Sequence, residues 1–140
     1  MNNTTRNILA VVIGIVVGGL VNMGLVTMGP AIDLPAGVGT GMTDIEVLKE
    51  SMKYFEPKHF VFPFLAHALG TLVGAFVAAR IAVSRKMACA LIIGFLYLAG
   101  GVSMVYMVGG PMWFIAVDLL LAYIPMAYIG GLLAGAQRNK

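Results

Sequence analysis

The chain has 140 residues, of which 60% are hydrophobic and only 11% charged, and its formal net charge is +3. A soluble domain typically has about a quarter of its residues charged, so this composition excludes an ordinary water-dissolved domain and makes lipid the expected solvent. The basic residues stand in ones and twos, with no stripe that could follow a phosphate backbone, and no nucleic-acid partner is expected.

The first apolar run covers residues 8–29. Arg6 precedes it, as a basic residue precedes a secretory signal, but a signal's apolar stretch is only about 7 to 15 residues long. This run is longer and ends in "TMGPAIDLP", so a retained membrane span is expected. Ala10, Gly14 and Gly18 recur at four-residue spacing, and the row continues into Asn22. Small residues in such rows let helices approach closely in lipid, where apolar side chains gain little by leaving an equally apolar solvent.

The connection that follows opens with "GPAIDLPAGVGTG", which reads as an irregular linker. Over 43–55, "TDIEVLKESMKYF" places Thr43 and Glu46 at capping-box spacing and repeats Ile45, Leu48, Met52 and Phe55 on one helical face. A short amphipathic helix on the outer membrane surface is expected. Its simplest role is to lead the chain from one span to the next. A lid over an outer vestibule and a docking site for a partner are the alternatives.

Three further runs of roughly 20 residues, enough to cross the hydrocarbon core, cover 60–82, 87–108 and 112–134. Such runs are too long for barrel strands, so helices are expected. Small-residue rows recur at Ala66, Gly70, Gly74 and Ala78, at Gly94 and Gly101, and at Ala127, Gly131 and Gly135. So many seams in a small bundle lead to the expectation of a homo-oligomer, with other membrane proteins as further candidate partners. Pro125 removes the amide that would bond the carbonyl of Leu121, so a kink and candidate hinge is expected there. Trp113, Tyr106 and Phe60 suit an aromatic belt at the outer interface. The fold class is therefore an all-α integral membrane four-helix bundle of two hairpins. A weak tandem repeat is suggested by "GGLVNMGLVTMGP" beside "GGVSMVYMVGGP", which chance and shared membrane composition explain about as well.

Arg6, Arg80, Arg85, Lys86, Arg138 and Lys140 fall on the side of the two termini. Lys49, Lys53 and Lys58 share the other side with all the acidic residues except Asp118. The positive-inside rule then predicts a multi-pass protein of the inner (cytoplasmic) membrane with both termini cytoplasmic.

Polar residues inside the spans supply the candidate site. Asn22, His67, Ser103 and Asp118 each lie five to seven residues from the outer boundary of their run, or about 8 to 11 Å deep at about 1.5 Å per residue. An ionisable group at that depth is costly unless paired or facing water, so His67 and Asp118 should solve each other's problem. Thr71 stands one turn deeper on the face of His67. A His/Asp pair could carry a proton near neutral pH, but it could equally be a static knot holding the helices in register.

No nucleophile beside a base, HExxH or phosphate loop is present, and Asp118 is the only acid within a span, so no enzymatic activity is expected. Cys89 is the single cysteine, which rules out an intramolecular disulfide. Neither metal nor cofactor is expected. Two exceptions stay open: two copies of His67 across a dimer holding haem, and the Met residues near the outer end holding copper(I). Two functions follow as expectations. One is a small transporter or channel for a solute, ion or proton, using Asn22, His67, Thr71, Ser103 and Asp118. The other is an accessory or assembly subunit whose polar layer is structural.

Overall fold

A computed structural model describes residues 1–32, 38 and 44–137, and only the backbone of 30–32. Its helices are α1 (Asn3–Ile32), α2 (Ile45–Ser51), α3 (Val61–Ile81), α4 (Lys86–Met107), α5 (Met112–Leu121) and α6 (Ile124–Leu133), with 3-10 turns at Met52–Tyr54 and Pro57–Phe60. No strand occurs among the described residues. Four segments are long and apolar enough to cross a membrane: Asn3–Gly29, Pro57–Ile81, Lys86–Met107 and Met112–Leu133. The chain is an all-α, multi-pass membrane protein. The linker beyond Ile32, apart from Val38, lies outside the described residues, as do Thr43, Arg138 and Lys140.

Close approach of small residues builds the bundle. α1 and α3 lie against each other through the rows read from the sequence: a Cβ on Gly14 would stand 2.6 Å from the carbonyl oxygen of Gly74, and one on Gly18 would stand 2.5 Å from that of Gly70. α6 packs between α3 and α4. A Cβ on Gly130 would meet the Leu72 carbonyl oxygen at 2.5 Å, and one on Gly94 would meet the Ala127 Cβ at 2.6 Å. The rows therefore face one another within one chain, which removes the reason they gave for expecting an oligomer. Gly135 does not continue its row. At φ +78° it ends α6, where the amide of Ala136 donates to the carbonyl of Gly131 and that of Gly135 to Leu132, the bonds of a Schellman cap.

The half of the bundle nearer the termini is tight, with Ile93, Ala75, Ala78, Ala79, Ala90 and Ala127 fully buried. Asn7 pins this end: its amide donates to the Ser84 hydroxyl at 2.9 Å, and its carbonyl oxygen accepts from the backbone amides of Val83 (3.1 Å) and Ser84 (3.4 Å). Asn7→Leu is expected to cost about 1 to 2 kcal/mol, since it leaves half-buried donors unpaired. Faster hydrogen exchange at the amides of Val83 and Ser84 checks this.

The opposite, loop end is looser. α4 reaches α5 through Gly109 and Gly110, whose φ values of +82° and +144° suit glycine. The fourth span then breaks at Ala122–Tyr123, two residues ahead of Pro125. α6 packs closely on α3 and α4, while α5 touches both only sparsely. The break thus lets the loop-end half of the span stand off from the bundle.

α2 begins one residue later than the capping box predicted. Asp44 is its N-cap, and its carboxylate accepts from the amides of Glu46 (2.9 Å) and Val47 (3.4 Å). Phe60 also departs from expectation. It is buried, and its ring packs on Phe55 (5.6 Å), Trp113 (5.5 Å) and Phe114 (4.6 Å), while Trp113 and Tyr106 stay exposed.

Candidate functional site

The central helix α3 carries His67 on the face turned toward α5, and α5 presents Asp118 just before the break. Nδ1 of His67 lies 2.8 Å from Oδ1 of Asp118. The hydroxyl of Tyr123, the residue in the break itself, donates to Oδ2 of the same carboxylate at 3.1 Å. The Tyr123 ring also stacks on the imidazole, 5.7 Å between centroids. Asp118 is thus held from both sides with its side chain 6% exposed, while that of His67 is 24% exposed. With Asp118 ionised, a form that only accepts hydrogen bonds, a neutral imidazole carries its hydrogen on Nδ1, and Nε2 is then the ring atom left for an occupant.

Gly101 is the steric condition for this arrangement. A Cβ there would lie 2.5 Å from the Tyr123 hydroxyl and 2.7 Å from its Cζ, so any side chain on α4 at that point would push the tyrosine off Asp118.

Above the pair lies a cavity of about 670 Å³. Asn22, His67, Gly101 and Asp118 are the deepest lining residues on their helices and form its floor. Met23 and Val26 line it from α1, Met104 and Val105 from α4, and Phe62 and Phe114 from α3 and α5. The apolar face of α2 and the turn after it, Ile45, Leu48, Met52 and Phe55, covers the loop end, while Glu46, Lys49, Glu50 and Lys53 point to solvent. The surface helix is therefore a roof over a vestibule as well as a connector.

The five residues read from the sequence separate here. Asn22, His67 and Asp118 share the cavity. Thr71 is fully buried, and its hydroxyl donates to the carbonyl of His67 at 2.7 Å, which steadies that turn of α3. Ser103 is exposed, its hydroxyl bonded back to the Ala99 carbonyl at 2.8 Å, and it does not join the layer. Pro125 lies two residues past Tyr123 and is exposed. Tyr123 and Gly101 complete the constellation without having been singled out for it.

As donors, the cavity offers the imidazole of His67 on its floor, that of His59 on its rim, and the thioethers of Met23, Met52 and Met104. No group of three or more His, Cys, Asp or Glu side chains that could hold a metal occurs among the described residues. Comparison with known protein families, with curated proteins and with solved structures finds no match.

Proposed function

We propose that the protein is a small-solute transporter of the inner membrane, working from the roofed cavity, with both termini cytoplasmic and the His67–Asp118 pair handling charge or protons. The observation that carries this reading is an ionisable pair at 2.8 Å on the floor of a 670 Å³ cavity. Ionisable groups at membrane depth are costly, and they characteristically mark solute and proton paths. A cavity of this volume falls within the range of about 300 to 1,000 Å³ typical of small-molecule sites.

A carrier is favoured over a standing channel by what lies beneath the floor. There the glycine seams and buried Ile93 fill the bundle, so passage requires a rearrangement. The break at Ala122–Tyr123 with Pro125 supplies a hinge beside the pair. Orientation rests on Arg6, Arg80, Arg85 and Lys86 at the end bearing the termini.

Asp118→Asn and His67→Gln keep shape and hydrogen-bonding capacity but remove the ionisable pair. Cells making the wild type are expected to differ from cells lacking the protein in the cell-to-medium ratio of some solute, by untargeted mass spectrometry. Each variant, at equal membrane abundance, should abolish that difference. Unchanged ratios in both variants sink the reading. A native mass spectrum gives the copy number, since an oligomer would have to form through the lipid-facing surfaces. A stoichiometric foreign subunit in that spectrum would favour the accessory function instead.

A further inference from the structure

The chemistry of the cavity restricts what it can hold. Polar side chains are confined to the floor, at Asn22, His67 and Asp118, and to the rim, at Lys58 and His59; the walls between are Met, Val, Ile and Phe. Each oxygen of Asp118 already accepts a bond, from His67 and from Tyr123, and the side chain is only 6% exposed. The floor therefore offers the Nε2 lone pair of His67 and the carboxamide of Asn22, which bonds to no other described group. A lone pair asks for a donor. The aromatic and thioether walls, Phe62 and Phe114 with Met23 and Met104, suit a flat ring, since sulfur and aromatic groups attract one another.

The wall between α1 and α4 is thin. These helices meet deeper in the bundle, where the Tyr97 hydroxyl donates to the Ile15 carbonyl at 2.7 Å and a Cβ on Gly14 would meet Ile93 at 3.2 Å. Nearer the loop end, a Cβ on Gly24 or on Gly100 would meet nothing within 4 Å. Met23 and Met104 line the cavity there and are 51% and 38% exposed. Beside the floor, the side chains these two helices contribute are Met23 and Val26 from α1 and Met104 and Val105 from α4, and the helices touch each other only sparsely.

We infer that the occupant is a membrane-dissolved amphiphile bearing a phenolic hydroxyl, that it reaches the floor sideways between α1 and α4, and that its hydroxyl donates to Nε2 of His67. This names the solute class for the transport reading and rests on it only for the claim that the solute is moved.

The test uses the full chain in nanodiscs, titrated with radiolabelled 4-nonylphenol, with nonylbenzene as the match lacking the hydroxyl and phenol as the match lacking the tail. Nonylphenol is expected to bind saturably, about tenfold or more tighter than either match. His67→Leu/Asp118→Leu should reduce its affinity to that of nonylbenzene. Val26→Trp fills the cavity without touching the floor and should abolish saturable binding at an unchanged melting temperature. Equal binding of nonylphenol and nonylbenzene, or binding that survives Val26→Trp, overturns the inference. Met23→Trp with Met104→Trp should slow association about tenfold, as a barrier raised by about 1.4 kcal/mol does; unaltered association overturns the sideways route. A water-soluble solute moved in an Asp118-dependent way without nonylphenol binding overturns this inference and leaves transport standing. Nonylphenol bound while no solute moves does the reverse.

Discussion

Replacing His67 alone by leucine is expected to cost about 3 to 5 kcal/mol of stability, and replacing Asp118 by leucine as well is expected to restore most of it. The single change leaves a carboxylate, its side chain 6% exposed, with the Tyr123 hydroxyl as its one remaining partner. Breaking a buried pair from one side carries a penalty of about 3 to 5 kcal/mol, whereas replacing the whole pair by apolar side chains of similar volume is often neutral or better. Leucine is close to histidine in volume, its excess over aspartate can extend into the cavity that Asp118 lines, and the double variant then leaves unpaired only a tyrosine hydroxyl. Neutral interhelical hydrogen bonds in membranes average about 0.6 kcal/mol, so that remaining loss is small. Denaturant unfolding of wild type, both singles and the double in one detergent decides the matter. A double variant as unstable as the sum of the singles would mean that the two residues stabilise the bundle separately.

The expected rescue bears on function. A static knot is useful to the degree that it stabilises, and this pair is expected to stabilise little compared with two leucines. What leucines cannot supply is the Nε2 lone pair at the cavity floor. A double variant that folds well but loses its binding separates the chemical role of the pair from its structural one.

The sequence made much of this legible, because each inference rested on a cost that any fold must meet. Backbone groups in lipid must be bonded, which gave helical spans. Rows of small residues let helices approach closely, and the row Ala10, Gly14, Gly18 met the row Ala66, Gly70, Gly74, Ala78. Asp118 needed a donor, and His67 was one of the few intramembrane side chains placed at its depth that could be one.

Depth was readable and azimuth was not. Ser103 lies at the expected height, but it is two residues from Gly101, and at about 100° per residue the two point about 200° apart. Gly101 faces the site and Ser103 faces away. Tyr123 was hidden for a related reason. Five residues from Asp118, it would point about 140° away from it on an unbroken helix, and only the break ahead of Pro125 brings its hydroxyl to the carboxylate. The role of α2 was ambiguous because an apolar face of Ile45, Leu48, Met52 and Phe55 satisfies a membrane surface and a cavity roof equally well.

Gly18→Leu is expected to destabilise the protein by about 3 kcal/mol, the upper end of the usual range for overpacking, while Gly24→Leu on the same helix is expected to be near neutral. At Gly18 a Cβ would lie 2.5 Å from the Gly70 carbonyl oxygen, 2.7 Å from the Tyr97 hydroxyl and 3.0 Å from the Gly74 Cα. Two of these are main-chain atoms of a facing helix, which cannot swing aside as a side chain would. At Gly24 nothing lies within 4 Å. Thermal unfolding of the two variants beside wild type tests the pair, and equal melting temperatures would mean that the α1–α3 contact contributes little. The consequence reaches the site, because α1 has no hydrophobic drive to hold it on α3 in lipid and relies on close backbone approach instead. Asn22 stands one turn beyond Gly18 on the same row and packs its Cβ against Gly70, 3.0 Å from where a Cβ there would be. Pushing the helices apart would also strain the Tyr97–Ile15 bond, which ties α1 to α4 just below the thin wall. Gly18→Leu should therefore widen that wall as well as weaken the fold, so the fraction that stays folded should admit nonylphenol faster than wild type does, opposite in sign to the tryptophan variants at Met23 and Met104.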